Sequence, residues 1–324
     1  DRAARINAYF SNLSPRHFAR DAYVRARAED QQFARQRAEA VPSAHSNVLD
    51  PFEVFPVAVR VARFLNPDGE TRIEGAWAFD PGVLPPSERI QRALAQRGVE
   101  PSGEYAIDFT LLEEDARTLR PLRRQRTPYR VSLPDPIPSS AASEVRTFQG
   151  RRYTSPIQLA LQWDVFWAYP NAETVVDERS QQLKVGAYRT VALRPLSADV
   201  SQLEMSDMLP MRLHEDGSTT AYPFGGLTRS TPLALAFELY HLNFDADDRT
   251  AYRLTYRIRR PGETGNQTEL STTSSGRSRT TDALIALDLS EWDEAGDIEI
   301  EMTVEDLTNG QVRSRQIQFT LVEE

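Results

Sequence analysis

The 324-residue chain has no cysteine, which excludes disulfides, thiolate metal sites and cysteine nucleophiles together. Its 38 Lys and Arg against 47 Asp and Glu give a formal charge of −9 with the signs interspersed, so no basic stripe suits a nucleic-acid backbone. No apolar run reaches the roughly 18 residues that a membrane-spanning helix requires.

The length accommodates two domains whose cores need no staples. Lys184 is the sole lysine, and every other basic residue is Arg, whose planar guanidinium pairs with carboxylates in bidentate fashion. The chain opens at Asp1 without Met, and we expect a piece of a longer protein.

Residues 1–47 read as a helical segment. Ile6, Tyr9, Phe10 and Leu13 sit at helical spacing, Ser14-Pro15 breaks the pattern, and Phe18, Tyr23, Ala26 and Phe33 continue it. The composition of Pro42 to Asn47 is that of a linker.

From about Asp50 the period changes to two, and 48–200 reads as a first β-sandwich. Val57, Val59, Val61 and Phe64 suggest a strand, Asn66-Pro-Asp-Gly69 supplies a turn, and Thr71 to Phe79 returns as a strand. A short helix near 86–97 follows Pro85-Pro86, with Ile90, Ala93 and Leu94 on one face and Gly98 as its stop. Further strands are expected at 105–112, around 129–133, at 157–167 and at 182–193. Trp163 and Trp167 share a face with Ile157, Leu159, Leu161 and Val165, which places both in a core. Exposed, the pair would instead form a platform for stacking sugars.

Residues 201–324 read as a second sandwich with strands at 203–211, 231–242, 250–260, 266–273, 282–289, 297–305 and 312–322. Leu233, Leu235, Phe237 and Leu239 fall on one side, and Ala234, Ala236, Glu238 and Tyr240 on the other. Thr272 to Ser278 reads as a flexible loop or sheet edge. Asn309-Gly310 predicts a two-residue type I′ hairpin. That turn sets Ile298 opposite Leu321, Ile300 opposite Phe319, Met302 opposite Ile317 and Asp306 opposite Arg313. The fold class is therefore mainly β: two tandem antiparallel β-sandwich domains, immunoglobulin- or fibronectin-like, after a short N-terminal helical segment.

Three stretches, Met205-Ser-Asp-Met208, Leu235-Ala-Phe-Glu-Leu-Tyr-His-Leu242 and Tyr252-Arg-Leu-Thr-Tyr-Arg-Ile258, together resemble the C-terminal sandwich of bacterial GWxTD-domain proteins. Glu305-Asp-Leu-Thr-Asn-Gly310 is similar to that family's closing hairpin. The resemblance spans residues 50–324 and is strongest over 203–322. The Gly-Trp-x-Thr-Asp stretch itself is absent. The resemblance implies an envelope-associated protein, often with helical repeats upstream, and brings no established catalytic residues.

Chemistry-bearing motifs are few. The histidines are His17, His45, His214 and His241; His214-Glu-Asp-Gly217 lacks the second histidine of a zinc-protease helix, and Gly217 suits a turn. No Gly-x-Ser-x-Gly elbow and no phosphate-binding glycine loop is present. Asn243, Asp245 and Asp247 alternate like the start of a calcium loop, but the central Gly and distal Glu are missing. The Asn243–Asp248 stretch is thus read as a solvated acidic loop. Asp297, Glu299, Glu301 and Glu305 form an acidic strip on an outer sheet face, where charge guards against edge aggregation.

We assign no catalytic, cofactor-binding or metal residues, and no cofactor. The expectation is a non-catalytic interaction or spacer region of a bacterial envelope or secreted protein, whose partner is another protein or another part of the same longer chain. The alternatives are an accessory C-terminal region of an enzyme whose catalytic part lies upstream, or a carbohydrate-binding module.

Overall fold

Alternating apolar and polar side chains drive most of the described residues into strands, because each alternation gives a strand one face to bury. The computed structural model describes residues 56–85, 88–95, 104–118, 120–132, 143–168, 184–261, 267–290, 292 and 294–323. The helical segment expected at 1–47 lies outside the described residues.

In chain order the elements are β1 (Ala58–Leu65), β2 (Thr71–Phe79), a 3-10 turn (Pro81–Val83), α1 (Glu88–Ala95), β3 (Glu104–Asp115), β4 (Pro121–Ser132), β5 (Glu144–Gln149), β6 (Ile157–Ala168) and β7 (Lys184–Leu193). There follow β8 (Glu204–Met205), β9 (Leu209–Leu213), β10 (Thr219–Ala221), β11 (Gly226–Leu227), β12 (Leu233–Tyr240), β13 (Thr250–Arg259), β14 (Gln267–Gly276), β15 (Thr281–Ala286), β16 (Gly296–Asp306) and β17 (Val312–Leu321). The chain is mainly β.

Contacts divide the chain into two units, but not at residue 200. One unit holds Asp80–Ser143 and Pro156–Leu193; the other holds Ala58–Phe79, Glu144–Ser155 and Arg194–Glu324. Two segments of the stretch expected as a first sandwich at 48–200, Ala58–Phe79 and Glu144–Ser155, thus belong to the unit that holds Arg194–Glu324.

The first of these units is built on a four-stranded antiparallel sheet of order β4-β3-β6-β7. Tyr105, Ile107, Phe109 and Leu111 on β3 and Leu159, Leu161, Trp163 and Val165 on β6 are all buried. Trp163 is 0% exposed and lies 5.4 Å from the Phe109 ring, as its apolar strand face requires. The Trp167 side chain lies outside the described residues. β4 begins eight residues before the stretch expected at 129, and its long run of exposed Arg hides it from an apolar-pattern reading. Its Pro128 is tolerated because β4 is at the edge of the sheet among the described residues.

The second unit contains a true sandwich. One sheet runs β10-β9-β12-β15 with β8 also on β12; the other runs β11-β17-β16-β13-β14. Leu233, Leu235, Phe237 and Leu239 from the first sheet meet Leu254, Ile258, Ile298, Ile300, Met302, Val304 and Phe319 from the second in one core. A small sheet of order β1-β2-β5 belongs to the same unit. Asn66 to Gly69 makes the expected turn between β1 and β2, with Gly69 at φ +82 and its N–H donating to Asn66 O at 2.9 Å. β5, unmarked in the sequence reading, pairs with β2, and Phe148 fills the space over Gly75, where any Cβ would run into the ring.

The acidic strip on β16 faces its complement. Arg253, Arg257 and Arg259 on β13 stand directly opposite Glu305, Glu301 and Glu299. Arg253 pairs with Glu305 at 2.8 Å, Arg259 pairs with Glu299, and Arg257 reaches Glu269 on β14 at 2.6 Å. Opposite charges across strands favour that pairing, and the Arg259 contact holds the Glu299 carboxyl below its ordinary value.

The closing hairpin corrects the expected register. Ile298 faces Phe319, Ile300 faces Ile317 and Met302 faces Arg315, a slip of two residues from the predicted pairs. A two-residue slip keeps every side chain on its own face, so burial alone does not forbid it. The turn is a four-residue loop closed by Asp306 N donating to Gln311 O at 2.8 Å and Gly310 N to Asp306 O at 2.7 Å. Asn309 does not take the positive φ that a type I′ turn demands; Gly310 does, at φ +74. The reason is Asp306, expected on the outer face opposite Arg313; it shares the parity of Ile298, Ile300, Met302 and Val304 on β16 and is 0% exposed. Its carboxylate accepts from Asn243 N at 2.8 Å, Asn243 Nδ2 at 3.1 Å and Thr308 N at 2.9 Å, which fixes where the loop begins.

Replacing Asp306 by Ala should therefore lower the stability of this unit by about 2–3 kcal/mol, because three donors lose their acceptor. Asn309→Ala, at the position a type I′ turn would depend on, should cost less than half as much. Urea unfolding of both variants checks the order.

Candidate functional site

Among the described residues, each unit holds a cluster in which charged side chains from several strands meet. In the sandwich unit the cluster grows from β1, β2, β8, β12 and β17. Arg63 on β1 donates to Asp207 through Nε (2.6 Å) and Nη2 (2.6 Å), and its backbone N–H donates to the same carboxylate at 3.0 Å. Asp207 N returns a bond to Arg63 O at 3.0 Å. This fork-to-fork geometry is the strong form of an ion pair. Hydrogen bonding to Asp207 holds the Arg63 guanidinium above its ordinary value, against the burial that lowers it.

The neighbours extend the network. Arg315 on β17 donates to Glu204 at 3.0 Å and to Met205 O at 2.9 Å, and its Nε lies 3.6 Å from Asp207. Ser206 N donates to Glu238 O, and Glu238 N donates to Ser206 Oγ, so the crossover between β8 and β9 stays bonded to β12. Glu238 meets Arg72 at 2.5 Å and accepts from the Tyr240 hydroxyl at 2.6 Å. That hydroxyl in turn accepts from Leu65 N at 2.8 Å. Glu238 and Tyr240 lie on the face of β12 opposite the sandwich core. Tyr240 is nonetheless buried, in a small apolar group with Leu65 and Leu196.

The second cluster lies on the four-stranded sheet. Asp108 on β3 stands directly opposite Asp164 on β6, and the two are 7% and 9% exposed. Side chains opposite each other in this way approach to about 5 Å between Cβ atoms, where like charges repel. Arg126 on β4 pairs with Asp108, and Gln162 Nε2 donates to Asp164 at 2.6 Å. The Arg126 guanidinium is raised above its ordinary value, first by the hydrogen bond to Asp108, against desolvation, and further by the charges of Asp108 and Asp164. Strand periodicity puts both aspartates on the polar face; only the pairing of β3 with β6 brings them together.

The remaining sequence candidates have local tasks. His214 begins a turn to Ser218 with Gly217 at φ +80, and its Nε2 lies 2.9 Å from Thr220 Oγ1. His241 takes φ +64 immediately after β12. Asp245 Oδ1 accepts from Asp247 N and Arg249 N, both at 2.9 Å, while Asn243 is turned toward Asp306. Among the described residues no three His, Asp or Glu side chains form a group able to hold a metal ion. No described helix is long and apolar enough to cross a membrane. His17 and His45 lie outside the described residues.

Two predictions follow from the sandwich cluster. A double-mutant cycle over Arg63→Gln and Asp207→Asn should return a coupling of about 2–3 kcal/mol, since each single change strands a partly buried charge. Burial, and then the bond to Glu238, hold the Tyr240 hydroxyl well above the ordinary tyrosine range, and burial does the same for Tyr153. Above about pH 10 the unfolded chain loses these protons while the folded chain keeps them, so stability falls as pH rises. Denaturant melts of Tyr240→Phe should show a shallower loss between about pH 9 and 11, with about 1 kcal/mol less stability at neutral pH.

No protein-family model matches this chain, and no curated protein matches it. Among solved structures, trypsin-activated alpha-2-macroglobulin from Escherichia coli is similar at 11% identity and a TM-score of 0.20; the match covers 83% of this chain and 17% of that one. At that TM-score the likeness carries no argument about fold or function.

Proposed function

We propose that the chain is a non-catalytic region of a bacterial envelope or secreted protein, serving as an interaction or spacer module. The observation that carries this reading is the use made of buried charge. Arg63, Asp207, Glu204, Arg315, Glu238 and Arg72 bind one another and the backbone, and they tie strands together. Two of the stretches that resemble the GWxTD-domain sandwich, Met205–Met208 and Leu235–Leu242, contribute Ser206, Asp207, Glu238 and Tyr240 to that network, which supports a kinship in architecture. The carbohydrate-binding alternative is weakened, because Trp163, one ring of the candidate platform, is 0% exposed.

The competing reading is an enzyme region acting through Asp108 and Asp164, since facing carboxylates are the hardware of glycoside hydrolysis. Arg126 and Gln162 engage these carboxylates, which favours a structural role.

The test is a thermal melt with and without chelator, together with assays against a panel of chromogenic glycosides. The expected result is no turnover and an unchanged melting temperature. A chelator-induced drop above about 4 °C, on the order of 1 kcal/mol for a unit of this size, or turnover that disappears in Asp164→Asn, would sink the proposal.

A further inference from the structure

Among the described residues the sandwich ends on one side at β14, with no further strand paired to its outer edge. Among the described residues β14 pairs only with β13, in an unbroken register from Thr250–Gly276 to Arg259–Gln267. A regular edge strand presents its outer N–H and C=O groups at the spacing that another strand requires. The strand itself carries few of the devices that prevent such pairing: Gln267–Gly276 has no proline, no lysine and no bulge. Its one charge, Glu269, is held by Arg257. The edges at β10 and β11 are only three and two residues long, and the six-residue edge β15 carries Asp282.

We propose that β14 pairs antiparallel with β14 of a second copy of this chain, about a twofold axis. Placing Leu270 opposite its symmetry mate sets Glu269 opposite Ser271, Thr268 opposite Thr272 and Gln267 opposite Thr273. No like charges meet, and Thr–Thr pairs hydrogen-bond well across strands. Leu270 shares the face of its β13 partner Tyr256 and is 52% exposed, and it gains an apolar neighbour at the axis. A twofold interface needs a patch that complements itself, and this order of side chains does so. An unrelated strand would satisfy the backbone equally, but nothing in β14 selects one by charge. The inference does not rest on the interaction-or-spacer reading, because an enzyme's accessory region dimerises by the same physics.

Light scattering on the eluting whole chain, over concentrations up to about 1 mM, tests this. The mass should rise from 36.7 kDa toward twice that value. It should do so more readily at high salt, which screens the repulsion between copies of charge −9. Leu270→Lys sets like charges against each other at the axis and should remain a monomer, while Leu284→Lys on β15 should dimerise like the parent. Hydrogen exchange on the unmodified chain gives a readout free of variant folding: protection of the β14 amides should grow with protein concentration. A monomer at every concentration, a dimer that survives in folded Leu270→Lys, or β14 amides whose protection ignores concentration overturns the assignment.

Discussion

The Arg63–Asp207 pair is the constraint on which the sandwich unit's layering depends. Both side chains are 21% exposed, so each charge has lost most of its water and must find its partner in one geometry. Asp207 sits in the crossover between β8 and β9, and Arg63 on β1, 144 residues earlier in the chain. Their union brings Arg194 O onto the same guanidinium at 2.9 Å and leaves Arg315 and Glu204 to close the other side. A partly buried ion pair is weak evidence for net stability, since apolar residues of equal volume often serve as well. What it supplies here is registry: only one placement of β1 satisfies the carboxylate, both backbone groups of Arg63 and the fork of its side chain.

The near-absence of lysine fits that role. Arg60 shows the same versatility: it donates to Gln318 O at 2.9 Å while its guanidinium lies 4.9 Å from the centre of the Phe319 ring. Arg72 lies 4.8 Å from the centre of the Phe64 ring and also bonds Glu74 and Glu238. A flat, delocalised cation stacks on a ring and bonds at its rim at once, which an ammonium does not. The β1–β2 hairpin is joined to the sandwich through this bifunctional chemistry in addition to apolar contact.

Motifs made of such residues speak to architecture. Ser206, Asp207, Glu238 and Tyr240 each have a bonding task in the network, and a sequence resemblance carried by them concerns how strands are tied. Chemistry must be argued from a site, and sandwiches host many functions.

What the sequence determined by itself was most of the long strands and, where apolar residues alternate strictly, the face each one buries. Leu233, Leu235, Phe237 and Leu239 alternate in the sequence and are buried in the structure, because the period of two is a local property of the extended backbone. The N–P–D–G turn was legible for the same reason. β4 and β5 were not, since exposed Arg on β4 and a short polar β5 leave no apolar alternation to read. Tertiary structure alone decided which strands became neighbours. The closing hairpin slipped by two residues without changing any face, because the buried Asp306 bonded Asn243, 63 residues away in the chain. Asp108 met Asp164, and β1, β2 and β5 joined the C-terminal sandwich. Each of these is a long-range pairing, and no local pattern encodes the partner's position.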